Sequence, residues 1–355
     1  MTEPYRVAVV GVGIGRAHLE AYRSLPDRFR VSAICDLDLE RARPVAEAYG
    51  SPRLTSDFSS LCCADDIDII DICTPSWLHA SQARQALVAG KHVVCEKPIA
   101  GSLEDVDTLI AAEAASGRRL MPIFQYRFGN GAQKLKRLIE RGVTGRLYAV
   151  TVETHWRRGA DYYAVPWRGR RATELGGVAV THAIHAHDLL LYLLGPIRSI
   201  TARIATRVNS IETEDCVAAT VELADGGLGT LSVTVGSAHE ISRHRFCFAN
   251  LSAESNTAPY TNTADPWTIT AADADTDGRI AEALAGFEPG PEGFAGQFVR
   301  FAEALESGAP LPVTLEEARA TLELTTALYA AARNHVTQDL PITREHALYA
   351  GWNNP

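Results

Sequence analysis

The first 120 or so residues alternate short apolar runs with helix-like segments, and nothing else in the chain constrains its fold as tightly. The runs are Val7–Val10, Val31–Cys35, Ile67–Ile72, His92–Cys95 and Leu120–Phe124. Between them lie amphipathic stretches with stop signals: Arg16–Leu25 before Pro26, Leu78–Ala89 before Gly90, and Leu103–Ser116 before Gly117. Glycine is the usual residue just past a helix end because it tolerates left-handed backbone. Short apolar strands separated by helices imply a parallel sheet covered on both faces. Pro44 falls inside the helix expected after the second strand, so that helix is expected to start late or kink.

Beyond residue 125 the pattern changes. One helix, Ala132–Glu140, precedes long β-rich runs at Leu147–Thr154, Ile197–Val208, Cys216–Leu223, Leu228–Val235 and Arg245–Phe248. Asp225-Gly226-Gly227 reads as a hairpin turn. Residues 250–290, rich in Ala, Asp, Thr, Gly and Pro, read as a long loop, and helices Phe294–Ser307 and Leu315–Asn334 close the chain. The expectation is an α/β protein of two domains: a nucleotide-binding domain over 1–124, and an α/β domain over 125–355 with a large, mostly antiparallel open sheet. The closing helices are free to pack back on the first domain. A length of 355 residues suits two domains.

A formal net charge of -9 argues against nucleic acid as a partner. No apolar run reaches the roughly 18 residues of a membrane helix, and Met1-Thr2-Glu3-Pro4 opens no signal-peptide pattern. Of seven cysteines, Cys35, Cys73 and Cys95 end apolar runs, where the thiol serves as a small hydrophobe. Adjacent Cys62-Cys63 lacks metal or redox spacing. Reduced thiols in a cytoplasm are expected.

Four groups of residues carry chemistry. Gly11-Val12-Gly13-Ile14-Gly15 follows the first strand and opens a helix, where close backbone approach and a helix N-terminus suit a pyrophosphate. Asp36 ends the second strand, placed to accept hydrogen bonds from adenosine ribose hydroxyls and to repel a 2′-phosphate; NAD is expected over NADP, with Arg41 and Arg43 leaving dual use open. Lys97, in Glu96-Lys97-Pro98, sits at the carboxyl end of a strand, where ligands of open α/β sheets bind. Its ammonium can favour an alkoxide-like oxygen. Finally Thr181-His182-Ala183-Ile184-His185-Ala186-His187-Asp188 reads as one helix. At about 100° per residue His185 and His187 face opposite ways, which resists a metal, and none is expected. Thr181, His185 and Asp188 share a face, so an imidazole beside a hydroxyl and a carboxylate is expected to act as a general base.

With Cys73-Thr74-Pro75, His79 and the Gly176-Gly177 to Gly195 segment added, the chain resembles the Gfo/Idh/MocA oxidoreductases. The resemblance implies a Rossmann domain followed by an α/β domain whose sheet forms subunit contacts, giving a homodimer or homotetramer. It implies Lys97 and His185 as the catalytic pair, with Glu96 and Thr74 near the nicotinamide ribose and Pro75 and His79 in the same cofactor segment. Where inositol dehydrogenase-like members carry Asp, this chain carries Thr181, and Asp188 is either an orienting group or a structural ion-pair partner. Trp156, Arg157, Tyr163, Trp167 and Arg168, with His182, are expected to bind the substrate: aromatic faces for sugar C–H groups, arginines for hydroxyls or anions. The implied activity is NAD-dependent dehydrogenation of a secondary hydroxyl of a sugar or cyclitol. Cofactor-recycling sugar conversion and a non-catalytic sensor are the competing readings.

Overall fold

The computed structural model describes residues 3–352. The chain forms two compact units, one running to Ile123 with Phe294–Arg319, the other comprising Phe124–Gly293 and the chain from Ala320 onward.

The first unit is built on six strands: β1 (Tyr5–Val10), β2 (Phe29–Cys35), β3 (Arg53–Thr55), β4 (Ile69–Ile72), β5 (His92–Cys95) and β6 (Leu120–Pro122). All pair in parallel, in the order β3-β2-β1-β4-β5-β6. That order reverses between β1 and β4, which opens a crevice at the carboxyl ends of the strands. The strands hold because they are apolar on both faces: Val7, Ala8 and Val9 are wholly buried. Burying each valine is worth about 1.5–3 kcal/mol. Helix Leu103–Ser116 starts where the Ser102 hydroxyl accepts the Asp105 N–H and stops at Gly117 in left-handed backbone, φ 64°. Helix Gly293–Ser307 lays Phe298 flat on Tyr22, ring centroids 4.4 Å apart.

One sequence expectation needs correction here, and two elements are additional. The helix around Pro44 neither starts late nor breaks: it runs Leu39–Ala48, nucleated by the Asp38 carboxylate accepting the Arg41 N–H, with Pro44 on its exposed side. Strand β3 and helix Phe58–Cys62 are additional elements, too short to show a period.

The second unit carries eight strands: β7 (Leu147–Arg157), β8 (Ile197–Ala205), β9 (Cys216–Leu223), β10 (Leu228–Thr234), β11 (Gly236–Phe248), β12 (Leu251–Glu254), β13 (Thr268–Ala271) and β14 (Gln338–Asp339). Their order is β13-β12-β11-β7-β10-β9-β8-β14, antiparallel except for β7 with β10. Alternation is clean in β9, where Val217, Ala219, Val221 and Leu223 are buried while Ala218 and Thr220 face solvent. One face of this sheet is therefore core and the other polar. Residues 250–290 are not a loop. They hold β12, β13 and helix Ala274–Leu284, capped by Asp273 accepting the Thr276 N–H. The Arg137 guanidinium donates to the carbonyls of Ala283 and Ala285, which pins that helix down. Among the described residues no single helix is long and apolar enough to cross a membrane.

Candidate active site

In the first unit the expected cofactor residues gather at the carboxyl ends of β1, β2, β4 and β5. Gly11 has φ 95°, and a Cβ there would lie 2.6 Å from the Cys73 carbonyl oxygen, so only glycine lets β1 and β4 end this close together. Gly13 faces open space, while a Cβ on Gly15 would press on Val9 at 3.1 Å. Ile14 is half exposed at the start of helix Gly15–Arg23. A bare glycine edge beside a helix N-terminus fits a pyrophosphate. Asp36 is buried and accepts the N–H groups of Val12 (2.9 Å) and Asp38 (2.9 Å). Arg41, its side chain 55% exposed, donates to both Asp36 oxygens at 2.9 Å. Arg41 thus occupies the carboxylate edge that ribose hydroxyls would take.

Thr74 donates its hydroxyl to the Gln82 side chain (2.7 Å), and Pro75 precedes the turn Ser76–Leu78. His79 places one ring nitrogen 2.7 Å from the Pro98 carbonyl and the other 2.7 Å from the Thr74 carbonyl. Burial pulls its basicity below the ordinary histidine value. It is a strut between the two loops that flank the crevice. Glu96 is buried; its Oε2 accepts the Lys97 N–H (3.0 Å), and its Oε1 lies 3.1 Å from His18 Nε2. His18 in turn places Nδ1 2.8 Å from Asp71 Oδ2. Sequence reasoning missed this chain of groups, although Asp71 inside the apolar run Ile69-Ile70-Asp71-Ile72 was its signal.

In the second unit the expected single helix is broken. Val178–Thr181 forms one short turn and Ile184–Leu194 the main helix, so Thr181 does not share the helix of His185 and Asp188. Glu214, which sequence reasoning did not find, caps the start of the short turn. Its buried carboxylate accepts the N–H groups of Gly177 (3.0 Å) and Ala179 (3.1 Å) and the Tyr329 hydroxyl (2.8 Å). These partners anchor the short turn from outside. A Cβ on Gly177 would overlap the Glu214 backbone oxygen, so the contact requires glycine. Thr181 donates to the Gly177 carbonyl (2.9 Å) and lies 2.7 Å from His182 Nδ1.

His185 is buried, its ring stacked on Tyr126 with centroids 5.0 Å apart and met edge-on by Phe124 at 6.1 Å. Asp188 takes the structural role left open above: fully buried, it binds the Arg127 Nε (2.8 Å) and Nη2 (2.6 Å) and the Thr321 hydroxyl (3.1 Å). His187 is fully buried beside His244, and desolvation holds both near a pKa of about 4.

The aromatic segment forms a wall. Trp156 is buried with its indole N–H on Ser242 (3.0 Å) and its ring 5.4 Å from His182. Tyr162 meets His182 at 5.6 Å. The Arg168 guanidinium lies flat on Tyr162 at 3.6 Å; its Nε and Nη1 are shielded and have no hydrogen-bond partner, and burial pulls its basicity down. Arg158, not singled out from sequence, stacks on Trp156 (5.1 Å) and Tyr162 (5.4 Å) and pairs with Glu240. Arg157 points outward, and Trp167 lies under Arg168 at 4.9 Å. An open cavity of about 690 Å³ adjoins this wall, lined by Arg157, Arg158, Tyr163, Asn209, Ile211 and Val235.

Comparison with known proteins identifies the family and the fold. Residues 5–124 match the oxidoreductase family with an NAD-binding Rossmann fold, and residues 132–249 match the GFO/IDH/MocA C-terminal domain. The chain is 27% identical to a D-glucoside 3-dehydrogenase of Escherichia coli, across 64% of this chain and 69% of that one. It is 28% identical to a levoglucosan dehydrogenase of Pseudarthrobacter phenanthrenivorans, across 64% and 67%. The crystal structure of the WlbA dehydrogenase from Bordetella pertussis, in complex with NADH and UDP-GlcNAcA, superimposes with a TM-score of 0.84 at 30% identity, covering 96% of this chain and all of that one. The glycine turn, the strand order 3-2-1-4-5-6 and the second sheet therefore have one explanation: the chain belongs to the Gfo/Idh/MocA family of NAD-binding oxidoreductases.

Proposed function

We propose that this protein moves a hydride between a secondary hydroxyl, or the matching ketone, of a sugar or cyclitol and nicotinamide. NAD supplies the hydride acceptor at C4 of its ring. Lys97 hydrogen-bonds the reacting oxygen and favours its developing negative charge. His185 takes the hydroxyl proton, its ring orientation set by the Tyr126 stack. Thr181 serves through its bond to His182 on the substrate side. The observation that carries this reading is the Glu96 carboxylate receiving the Lys97 N–H at the carboxyl end of β5 in an NAD-binding sheet.

The named relatives act on glucosides and levoglucosan, which supports a carbohydrate substrate. Arg168, with its shielded and unpartnered nitrogens beside Arg158, favours substrates that carry a carboxylate or phosphate. A homodimer or homotetramer formed through the open eight-stranded sheet goes with this reading, as the family resemblance implies. The test is NADH formation across inositols, aldoses, glycosides, uronates and nucleotide sugars, with NADP in parallel. A saturable hit with NAD is expected, with anionic members preferred. Tight NADH binding with no turnover on any member would favour the sensor reading.

A further inference from the structure

We propose that His18 is a positioning residue for the reacting lysine: bridging Asp71 and Glu96, it fixes the carboxylate that receives the Lys97 backbone N–H. The proposal rests on the role assigned to Lys97 above. It begins with geometry inside the first unit. His18 is wholly buried on helix Gly15–Arg23, Asp71 is wholly buried in β4, and Glu96, 5% exposed, follows β5. Three separate elements thus converge on one ring, with Nδ1 2.8 Å from Asp71 and Nε2 3.1 Å from Glu96. A neutral imidazole has one N–H and one lone pair, so it satisfies only one carboxylate. An imidazolium has two N–H groups and satisfies both carboxylates, and its charge offsets the several kcal/mol that an unpaired buried charge costs.

The surroundings agree. Desolvation works against a charge on His18, but the Asp71 carboxylate outweighs it and holds the ring well above its ordinary value. The Cys73 thiol lies 3.4 Å from Nδ1 and 3.6 Å from Asp71 Oδ1; burial pushes it up, so it stays protonated and donates. Tyr22 and Cys95, both raised by burial, and His79, lowered by it, are further titratable groups around the cluster. Phe294 and Phe298 cover the ring at 4.5 and 5.4 Å, excluding water. His18, Asp71 and Cys73 have the spacing of a metal set, with donor atoms within 4.8 Å of one another. But both ring nitrogens already face carboxylates and the thiol keeps its proton, so the arrangement is a hydrogen-bonded bridge. It ties the helix that starts at the glycine turn to the backbone of the reacting lysine.

The experiment combines two readouts on the intact protein. Nitrogen-15 NMR of the His18 ring at pH 8 should show both nitrogens protonated; a neutral ring would overturn the proposal. Reductive methylation with carbon-13 formaldehyde then reports the titration of Lys97. His18→Gln should shift that titration and lower kcat by about 10²-fold, the cost of a misplacement near 1 Å, while NADH affinity changes by less than about threefold. In a Lys97→Met background the His18→Gln loss should vanish, as coupled groups require. If Lys97→Met alone turns over normally, the lysine's role fails. If Lys97 proves essential but His18→Gln leaves its titration and kcat unchanged, or adds its loss independently, the positioning role fails. Glu96→Gln cuts the same link from the other end and serves if His18→Gln does not fold, with the same two readouts expected and the same overturning result.

Discussion

His18 in the first unit and His187 in the second are equally inaccessible to water, yet their basicities are pushed in opposite directions. His18 sits between two carboxylates and is held well above its ordinary value. His187 has no hydrogen-bond partner among the described residues and a second histidine, His244, beside it, and burial drives both down to about 4. Burial alone therefore does not decide protonation; the partners do. The first unit keeps a charge in its interior beside the residue proposed to react. The second uses histidine as a polar space-filler and places its buried charge elsewhere, in the Arg127–Asp188 pair.

The comparison breaks most visibly at the groups proposed to react. Lys97→Ala and His185→Ala should each lower kcat by at least ~10²-fold with the fold intact by circular dichroism. Wild-type rates in either would remove the distinction between working and packing residues. Next comes the second unit's own buried charge. Asp188→Ala strands the Arg127 guanidinium and should cost about 3–5 kcal/mol in denaturant unfolding; a loss under 1 kcal/mol would mean that the pair is not structural.

The pH dependence of stability should then separate the two histidine types. For His187 and His244 the folded value lies below the unfolded 6.5. Their contribution is complete above pH 6.5 and is lost as pH falls from there toward 4, by about 3 kcal/mol each. His18 has the reverse sign: its contribution is complete below 6.5 and is lost as pH rises through its raised folded value. His187→Leu should flatten the acid limb and leave turnover within about twofold. An unchanged acid limb would contradict its neutral state. The smallest effect lies at the cofactor edge. Arg41→Ala should free Asp36 and raise the preference for NAD over NADP severalfold, read from kcat/KM with each; a shift toward NADP would show that Arg41 does not compete for the carboxylate.

The architecture was legible in the sequence because β1, β2, β4 and β5 are apolar on both faces and punctuated by glycine, a local pattern. The places of Gly11 and Asp36, just past the ends of β1 and β2, were legible for the same reason. The helix break after Thr181 and the cap supplied by Glu214 were not legible; Glu214 is more than thirty residues downstream and acts through backbone N–H groups. Arg158 could have been found: Val150, Val152, Thr154 and Trp156 face inward along β7, and continuing that alternation selects Arg158 rather than Arg157. Residues 250–290 hid their strands because Ser, Thr and Ala alternate with little contrast in hydropathy.

The aromatic cover over His18 has one further consequence. Phe294 and Phe298 come from the far end of the chain, yet they belong to the unit that begins at the N-terminus. The nucleotide-binding half is therefore not an autonomous N-terminal module. During synthesis the cover over His18 is supplied only once some 170 more residues have emerged. A recombinant fragment ending at Ile123 would stop at that same stage, lacking the cover that makes a buried imidazolium tenable.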